Sequence, residues 1–209
     1  MGTNTNTLNF LYESTEAAGI TTLSEKRLLE LGNQAIRKNA QASYKIDTGI
    51  SKVYFLSMGC NHHSIDWNGL NGAIPLDLTL PMPIPGYLNF FDIVTDFGDM
   101  EHVRGFKDHL EGVGHWNAWK NIHDMGKVDC LYIHTVPMVG SFSGHGSFHY
   151  TLEFFENLCL ANDYEILILK SVQCDPRTNN REYAFCSYIK RKDQDFGPAQ
   201  EIFKGWLHR

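Results

Sequence analysis

The chain has 209 residues, 43% hydrophobic and 20% charged, which supplies enough apolar content for a packed core and excludes a disordered polymer. Eighteen basic against twenty-four acidic side chains leave a formal net charge of −6, a sign that repels phosphate backbones and disfavours a nucleic-acid partner. Five cysteines without a CxxC pair exclude a disulfide framework and a zinc knuckle. No apolar run approaches the roughly 18 residues that cross a bilayer, and residues 1–24 lack the basic-then-apolar pattern of a signal peptide. The expectation is a cytoplasmic α/β protein with no membrane partner.

Residues 1–26 read as an N-terminal extension or flap, where Leu8, Leu11 and Tyr12 give a short helix one weak apolar face; residues 27–209 read as a single domain. Arg27-Leu28-Leu29-Glu30-Leu31 is the first firm element, and the glycine directly after it argues for a strand that turns sharply, with a helix C-cap as the alternative. A polar stretch through Thr48 holds one helix, and Val53-Tyr54-Phe55-Leu56 is an apolar run closed by Gly59. His63-Ser64-Ile65-Asp66 predicts a short strand that stops at Trp67-Asn68-Gly69, a turn signal. Residues 73–78 lead into a connection carrying Pro81, Pro83 and Pro85, where a helix is disfavoured.

Residues 90–95 predict a buried strand ending in Asp96-Phe97-Gly98, and residues 101–125 read as mostly helical. Residues 130–136 are a second continuous apolar strand, stopped by Pro137. A glycine- and serine-rich loop, 140–147, precedes a helix over 152–160. Residues 164–172 and 183–189 are β-rich runs joined by the turn-forming segment 175–180, which predicts an antiparallel hairpin. The basic run Lys190-Arg191-Lys192 reads as a solvated strand end, and a short helix over 199–207 closes the chain. Strands alternating with helices, with apolar runs too continuous to be half-exposed, predict a three-layer, mostly parallel sheet with one antiparallel strand from the terminal hairpin.

In an open α/β sheet, ligands bind beyond the carboxyl ends of the strands at the switch in strand order. Polar groups an ordinary loop does not require gather at those ends: Gly32-Asn33-Gln34, Asp66-Trp67-Asn68, Asp77-Leu78, Asp96-Phe97-Gly98 with Glu101-His102, and the loop from Pro137 to His149. An acid ending the second strand can accept from both hydroxyls of a ribose, and a glycine after the first lets backbone approach a ligand. Seven of the ten histidines fall between residues 102 and 149, and imidazole titrates near neutrality. His134, inside an apolar strand, reads as a satisfied core residue; Trp116, Trp119 and Phe142 are candidates for an acceptor pocket, although aromatic residues on helices more often belong to a core.

The segment Leu28-Leu29-Glu30-Leu31-Gly32 resembles the first motif of class I S-adenosylmethionine-dependent methyltransferases. Ser64-Ile65-Asp66 with Asn68-Gly69 resembles their ribose-binding acidic motif, and Asp77-Leu78 the motif near the adenine. Phe91-Asp92-Ile93-Val94-Thr95-Asp96-Phe97-Gly98 with Glu101-His102-Val103 resembles the fourth-strand motif of a methyltransferase-like subgroup, whose later part is similar to His145-Gly146, Tyr150 and Phe154-Phe155. The resemblance spans residues 27–190 and departs from the family's glycine-rich turn at Gln34 and Ile36, which stand where the second and third glycines would be.

The resemblance implies a Rossmann-like methyltransferase sandwich, S-adenosylmethionine as methyl donor, and a small-molecule or sugar acceptor. It implies that Asp66, Trp67 and Asn68 hold the ribose and that Asp77 and Leu78 border the adenine. Gly32, Asn33 and Gln34 would face the methionine end with Glu30 behind them, and Asp96, Phe97 and Gly98 would line the floor. His102 and His145 would serve as bases beside Glu101. No metal site is assigned: His145 and His149 have i,i+4 spacing that His102, Asp96 or Glu101 could complete, but Gly146 intervenes and no HExxH occurs. The competing readings are a non-catalytic methyltransferase-like binding module, a metal-dependent hydrolase, and a nicotinamide dehydrogenase, which the short glycine motif opposes. Nothing in the chain specifies an oligomeric state.

Overall fold

The first strand is built by alternation. In Arg27–Leu31 (β1), Leu28 joins one core layer while Leu29 and Leu31 join the other, and Gly32 ends the strand at φ +75°, a conformation that suits glycine. A computed structural model describes residues 2–81, 84–103, 111–173 and 181–208, the side chains of residues 111 and 112 excepted. Around β1 it places α1 (Thr5–Ala17), α2 (Lys38–Tyr44), α3 (Ser51–Ser57), β2 (Asn61–Ile65), β3 (Phe91–Asp96), α4 (Glu111–Met125), β4 (Gly126–Pro137), α5 (Leu152–Ala161), β5 (Tyr164–Gln173), β6 (Glu182–Lys190) and α6 (Gln200–Gly205).

The six strands lie in the order β2-β1-β3-β4-β6-β5; β2, β1, β3 and β4 run parallel, and β6 is antiparallel to both neighbours. Beyond β2 a lone parallel bridge, Ile65 to Ile74, continues the sheet for a single residue pair. Strand residues alternate between two buried layers. In one, Leu28, Ile93, Leu131, Ile133 and Phe185 meet Leu8, Phe10, Leu11, Ala40 and Phe55. In the other, Leu29, Val94, Tyr132 and Tyr188 meet Trp119, Ile122, Phe154, Phe155 and Phe203. Each such side chain contributes about 1.5–3 kcal/mol by leaving water.

The weak apolar face expected near the N-terminus is α1, capped by Asn4 and Thr7, with Leu8, Phe10 and Leu11 buried and Phe10 4.9 Å from Phe185 between ring centroids. The run at 53–56 is helical, within α3: Tyr54 and Phe55 are buried while Val53 and Leu56 are exposed, one face of a helix against the sheet.

The basic run at 190–192 corrects the sequence reading in part. Arg191 pairs with Glu165 and Asp129 and Lys192 with Asp163 at the surface, but Lys190 is buried and donates to the carbonyls of His123 and Gly126 at 3.1 and 3.0 Å. A cation there satisfies carbonyls that the end of α4 leaves free. Of the expected helix over 101–125, the described part is one 3₁₀ turn, Met100–His102, and α4; residues 104–110 and the hairpin turn 174–180 lie outside the described residues. Cys60, Cys130, Cys159 and Cys186 are buried free thiols, and Cys174 lies outside the described residues. No helix among the described residues is long and apolar enough to cross a membrane.

Candidate functional site

Chain direction puts the switch between β1 and β3. From β1 the chain moves outward to β2, then returns past β1 to β3, so loops on opposite sides of the sheet part company above Leu31. Leu31 is in register with Ile65 on one side and Asp96 on the other, and Asp96 with His134, so the strand ends form one rim.

On the β1–β2 half of that rim the loops hold each other. The Asn33 N–H donates to Asp66 Oδ2 at 3.0 Å and the Asn68 N–H to Asp66 Oδ1 at 3.1 Å, so this carboxylate ties the turn after β1 to the turn after β2. Asn71 Nδ2 donates to Asn33 Oδ1 at 2.9 Å across the same gap. Behind the turn, Ser51 Oγ lies 2.7 Å from Glu30 Oε2 and 2.8 Å from the Gln34 carbonyl. Burial raises the Glu30 carboxyl above the usual range, while His62, whose Nε2 stands 3.2 Å from Oε2, and the Ser51 hydroxyl oppose that shift; Ser51, between Glu30 and the Gln34 carbonyl, steadies the loop.

Over Gly32 sits Asp99. A Cβ at position 32 would overlap its carboxylate, which also accepts from Gln34 Nε2. Burial, reinforced by Asp96 and Glu101, pushes the Asp99 carboxyl well above the carboxylate range. Asp96 is fully buried: Oδ1 accepts from the Asp99 and Met100 N–H groups at 3.0 and 3.2 Å, and Oδ2 meets His134 Nδ1 at 3.0 Å. His134 completes its bonding at the Tyr188 hydroxyl, 3.1 Å away.

The β3–β4 half is built differently. Glu101 lies in the 3₁₀ turn with its side chain fully buried and neither carboxylate oxygen hydrogen-bonded to any of the described residues. His145 Nε2 stands 3.7 Å and His102 Nε2 3.8 Å from its Oε1, and the two rings meet edge to face at 4.7 Å. The Glu101 carbonyl accepts from the Ser147 and Phe148 N–H groups at 2.7 and 3.2 Å, which straps the 140–148 loop onto the turn. Gly146, at φ +75°, lets that loop close: a Cβ there would stand 2.9 Å from Glu101 Cγ. Burial, then the charge of Asp96, pushes Glu101 up to about 8; burial holds both histidines below the usual imidazole value, and His145 adds to the lowering at His102.

No protein-family model matches the chain, and no curated protein matches it in sequence. Its shape has solved counterparts. A Burkholderia thailandensis 1,6-didemethyltoxoflavin-N1-methyltransferase, with bound 1,6-didemethyltoxoflavin and S-adenosylhomocysteine, superposes at TM-score 0.51 and 14% identity over 86% of this chain and 78% of that one. Haemonchus contortus phosphoethanolamine N-methyltransferase 2, in complex with S-adenosyl-L-methionine, gives TM-score 0.57 and 12% identity over 88% of this chain and 53% of that one, about half its length. A Listeria monocytogenes protein assigned as an S-adenosylmethionine dependent methyltransferase gives TM-score 0.57 and 11% identity over 90% of this chain and 99% of that one. The chain has the class I methyltransferase fold.

In that methyltransferase fold the sequence-selected residues divide into three groups. Gly32, Asn33, Gln34, Asp66 and Asn68 come together at the rim, with Glu30 behind them. Glu101, His102 and His145 form the second cluster. The third group is exposed, or bonded within its own turn or the core. Trp67 is 81% exposed; Phe97 turns its ring into the core with Leu8 and Phe55; Asp96 uses both oxygens on its own turn and His134. Asp77 accepts from the Thr79 N–H at 2.9 Å and from its hydroxyl, while Leu78 is buried with its carbonyl held by Asn121 Nδ2 at 2.8 Å. Trp119 is a core residue, and Trp116 donates to the Pro198 carbonyl.

The i,i+4 relation of His145 and His149 has no helix to act on: Gly144 and Gly146 have positive φ, and the His149 backbone forms a β-bridge with His208. The sequence reading passes over Asp99 and Ser51. Asp99 carries a signal, an acid set between two others within six residues of a strand end, whereas nothing local marks Ser51.

Proposed function

We propose that this chain is an S-adenosylmethionine-dependent methyltransferase whose acceptor is a small molecule or a sugar. The observation that carries this reading is the meeting of Gly32, Asp66 and Asp99 at the switch point. Asp66 accepts one backbone N–H at each oxygen, which leaves it lone pairs for the two hydroxyls of a ribose. Asp99, over Gly32, offers a carboxyl group whose ionised form the sulfonium and ammonium of such a donor would favour, against the burial that raises it in the free chain. The donor set therefore fits a cationic nucleoside although Gln34 and Ile36 replace two glycines. Ile36 is a core residue, and Gln34 orients Asp99.

When bound, the donor supplies a methyl group on sulfur that an acceptor nucleophile attacks in line, and much of the rate comes from holding the partners in that geometry. The residues of the chain then have distinct tasks. Asp66 and the Gly32 turn hold the donor, Glu30 and Ser51 steady the turn, and Glu101, His102 and His145 handle the acceptor and its proton. The net charge of −6 supports a small acceptor over a phosphate-rich one.

Calorimetry with S-adenosylhomocysteine tests the donor half: Asp66→Ala should weaken binding by about 100-fold, roughly two lost charge-assisted hydrogen bonds, with an unchanged circular dichroism spectrum. Wild-type protein that binds neither donor nor product removes the enzyme reading and favours a binding module. On an acceptor found by screening hydroxylated compounds and sugars, His102→Ala and His145→Ala should each lower turnover by about 10²- to 10⁴-fold at constant donor affinity.

A further inference from the structure

A buried polar atom without a partner marks bonding capacity that the chain itself does not use. Among the described residues, both carboxylate oxygens of Glu101 and Nε2 of His145 are such atoms, and they face one another. The 3.7 and 3.8 Å gaps from Glu101 Oε1 to the two imidazole nitrogens are too long for hydrogen bonds. They are close to the spacing of ligands that share one ion: donors about 2.1 Å from a tetrahedral metal stand about 3.4 Å apart. The carboxylate oxygen and one nitrogen of each ring all lie within 4.8 Å of one another.

We infer that Glu101, His102 and His145 bind a divalent transition-metal ion of the zinc, cobalt or iron class. Two imidazoles and a carboxylate form a donor set that suits these ions and leaves coordination positions free. The scaffold is fastened: the 140–148 loop that carries His145 is strapped to the Glu101 carbonyl through the Ser147 and Phe148 N–H groups and seated by Gly146. The carboxylate is fully buried, whereas the His102 and His145 side chains are 46% and 38% exposed, so the cluster lies at the edge between core and surface.

The use of the site rests on the methyltransferase reading. Held by Glu101, His102 and His145, such an ion would act as a Lewis acid that lowers the pKa of an acceptor hydroxyl, whose proton would leave to bulk water. The acceptor class is then a hydroxylated compound methylated on oxygen, with His102 and His145 acting as ligands in place of free bases.

The test is titration of the full, chelator-treated chain with Zn²⁺ by calorimetry and with Co²⁺ by visible absorption. One ion per chain is expected, with a cobalt spectrum of nitrogen–oxygen ligation. Glu101→Gln, His102→Ala and His145→Ala should each weaken binding by more than about 100-fold, beyond the loss of a group that only orients a ligand. His208→Ala, an exposed histidine outside the cluster, should leave it unchanged. Absence of binding to the wild type, or His145→Ala binding as tightly as wild type, overturns the inference. S-adenosylhomocysteine titrated into the same metal-free protein separates the two readings. Product binding without metal binding sinks the metal site and spares the methyltransferase; metal binding without product binding does the reverse.

Discussion

The loops of the two halves of the rim are built from the same residue types and bonded differently, although behind the first half Glu30 Oε1 and His62 Nδ1 are also without partners among the described residues. Above β1 and β2, Asp66, Gln34 and Ser51 each find partners in the neighbouring turn. Above β3 and β4, among the described residues, Glu101 has no hydrogen bond at either carboxylate oxygen and His145 none at Nε2. A half whose loops satisfy one another is shaped before any ligand arrives, so it can be selective for one fixed shape at little ordering cost. A half with unmet donors and acceptors is completed by what it binds. Under the proposed function, the first half would take the donor and the second the acceptor.

The comparison can be broken by measurement, beginning beneath the open half. His115 is fully buried: its Nδ1 donates to the Val103 carbonyl at 2.9 Å, and its Nε2 accepts from Trp119 Nε1 at 3.1 Å and pairs with the Tyr150 hydroxyl at 2.9 Å. Burial lowers it to about 4. The folded value lies below the unfolded ~6.5, so the unfolded chain takes up the proton first. Its cost is absent above about pH 6.5, grows as pH falls, and reaches up to about 3 kcal/mol below about pH 4. Urea denaturation at several pH values should show this slope, and His115→Gln should flatten it. An unchanged slope would mean that another group sets it.

Gly32→Val comes next. The left-handed backbone costs a β-branched residue about 1–2 kcal/mol, and its side chain must displace Asp99. Thermal unfolding should record that loss, together with loss of S-adenosylhomocysteine binding.

The sharpest contrast has the smallest magnitudes. Asp66→Asn disturbs two made hydrogen bonds and should cost about 1 kcal/mol, whereas Glu101→Gln breaks none and should cost less than about 0.5 kcal/mol. Equal losses in chemical denaturation would erase the distinction between the two halves.

Legibility from sequence followed the same division. Strands with continuous apolar runs, β3 and β4, and the β5–β6 hairpin were readable because alternation and turn chemistry are local. The run at 53–56 was not, since four apolar residues suit a strand or a helix and only packing against the sheet chose. In the site, Gly32 and Asp66 were visible as a strand-end glycine and a strand-end acid, and the structure joins them through Asn33. Asp96 and Phe97 looked equally suited to line a floor, yet one caps its own turn and the other fills the core. Asp99 went unread because its importance lies in standing over Gly32, 67 positions earlier in the chain.

By itself the sequence determined the alternation of strands and helices, the final hairpin and the positions where strands end in glycine or acid, since each follows from side-chain periodicity and backbone preference over a few neighbours. The tertiary structure alone decided which of those ends share a rim, which carboxylates are already satisfied, and that Glu101 meets two histidines with its bonding unmade. Those outcomes depend on strand order, register and burial, which bring together residues dozens of positions apart and remove the water that would otherwise satisfy them.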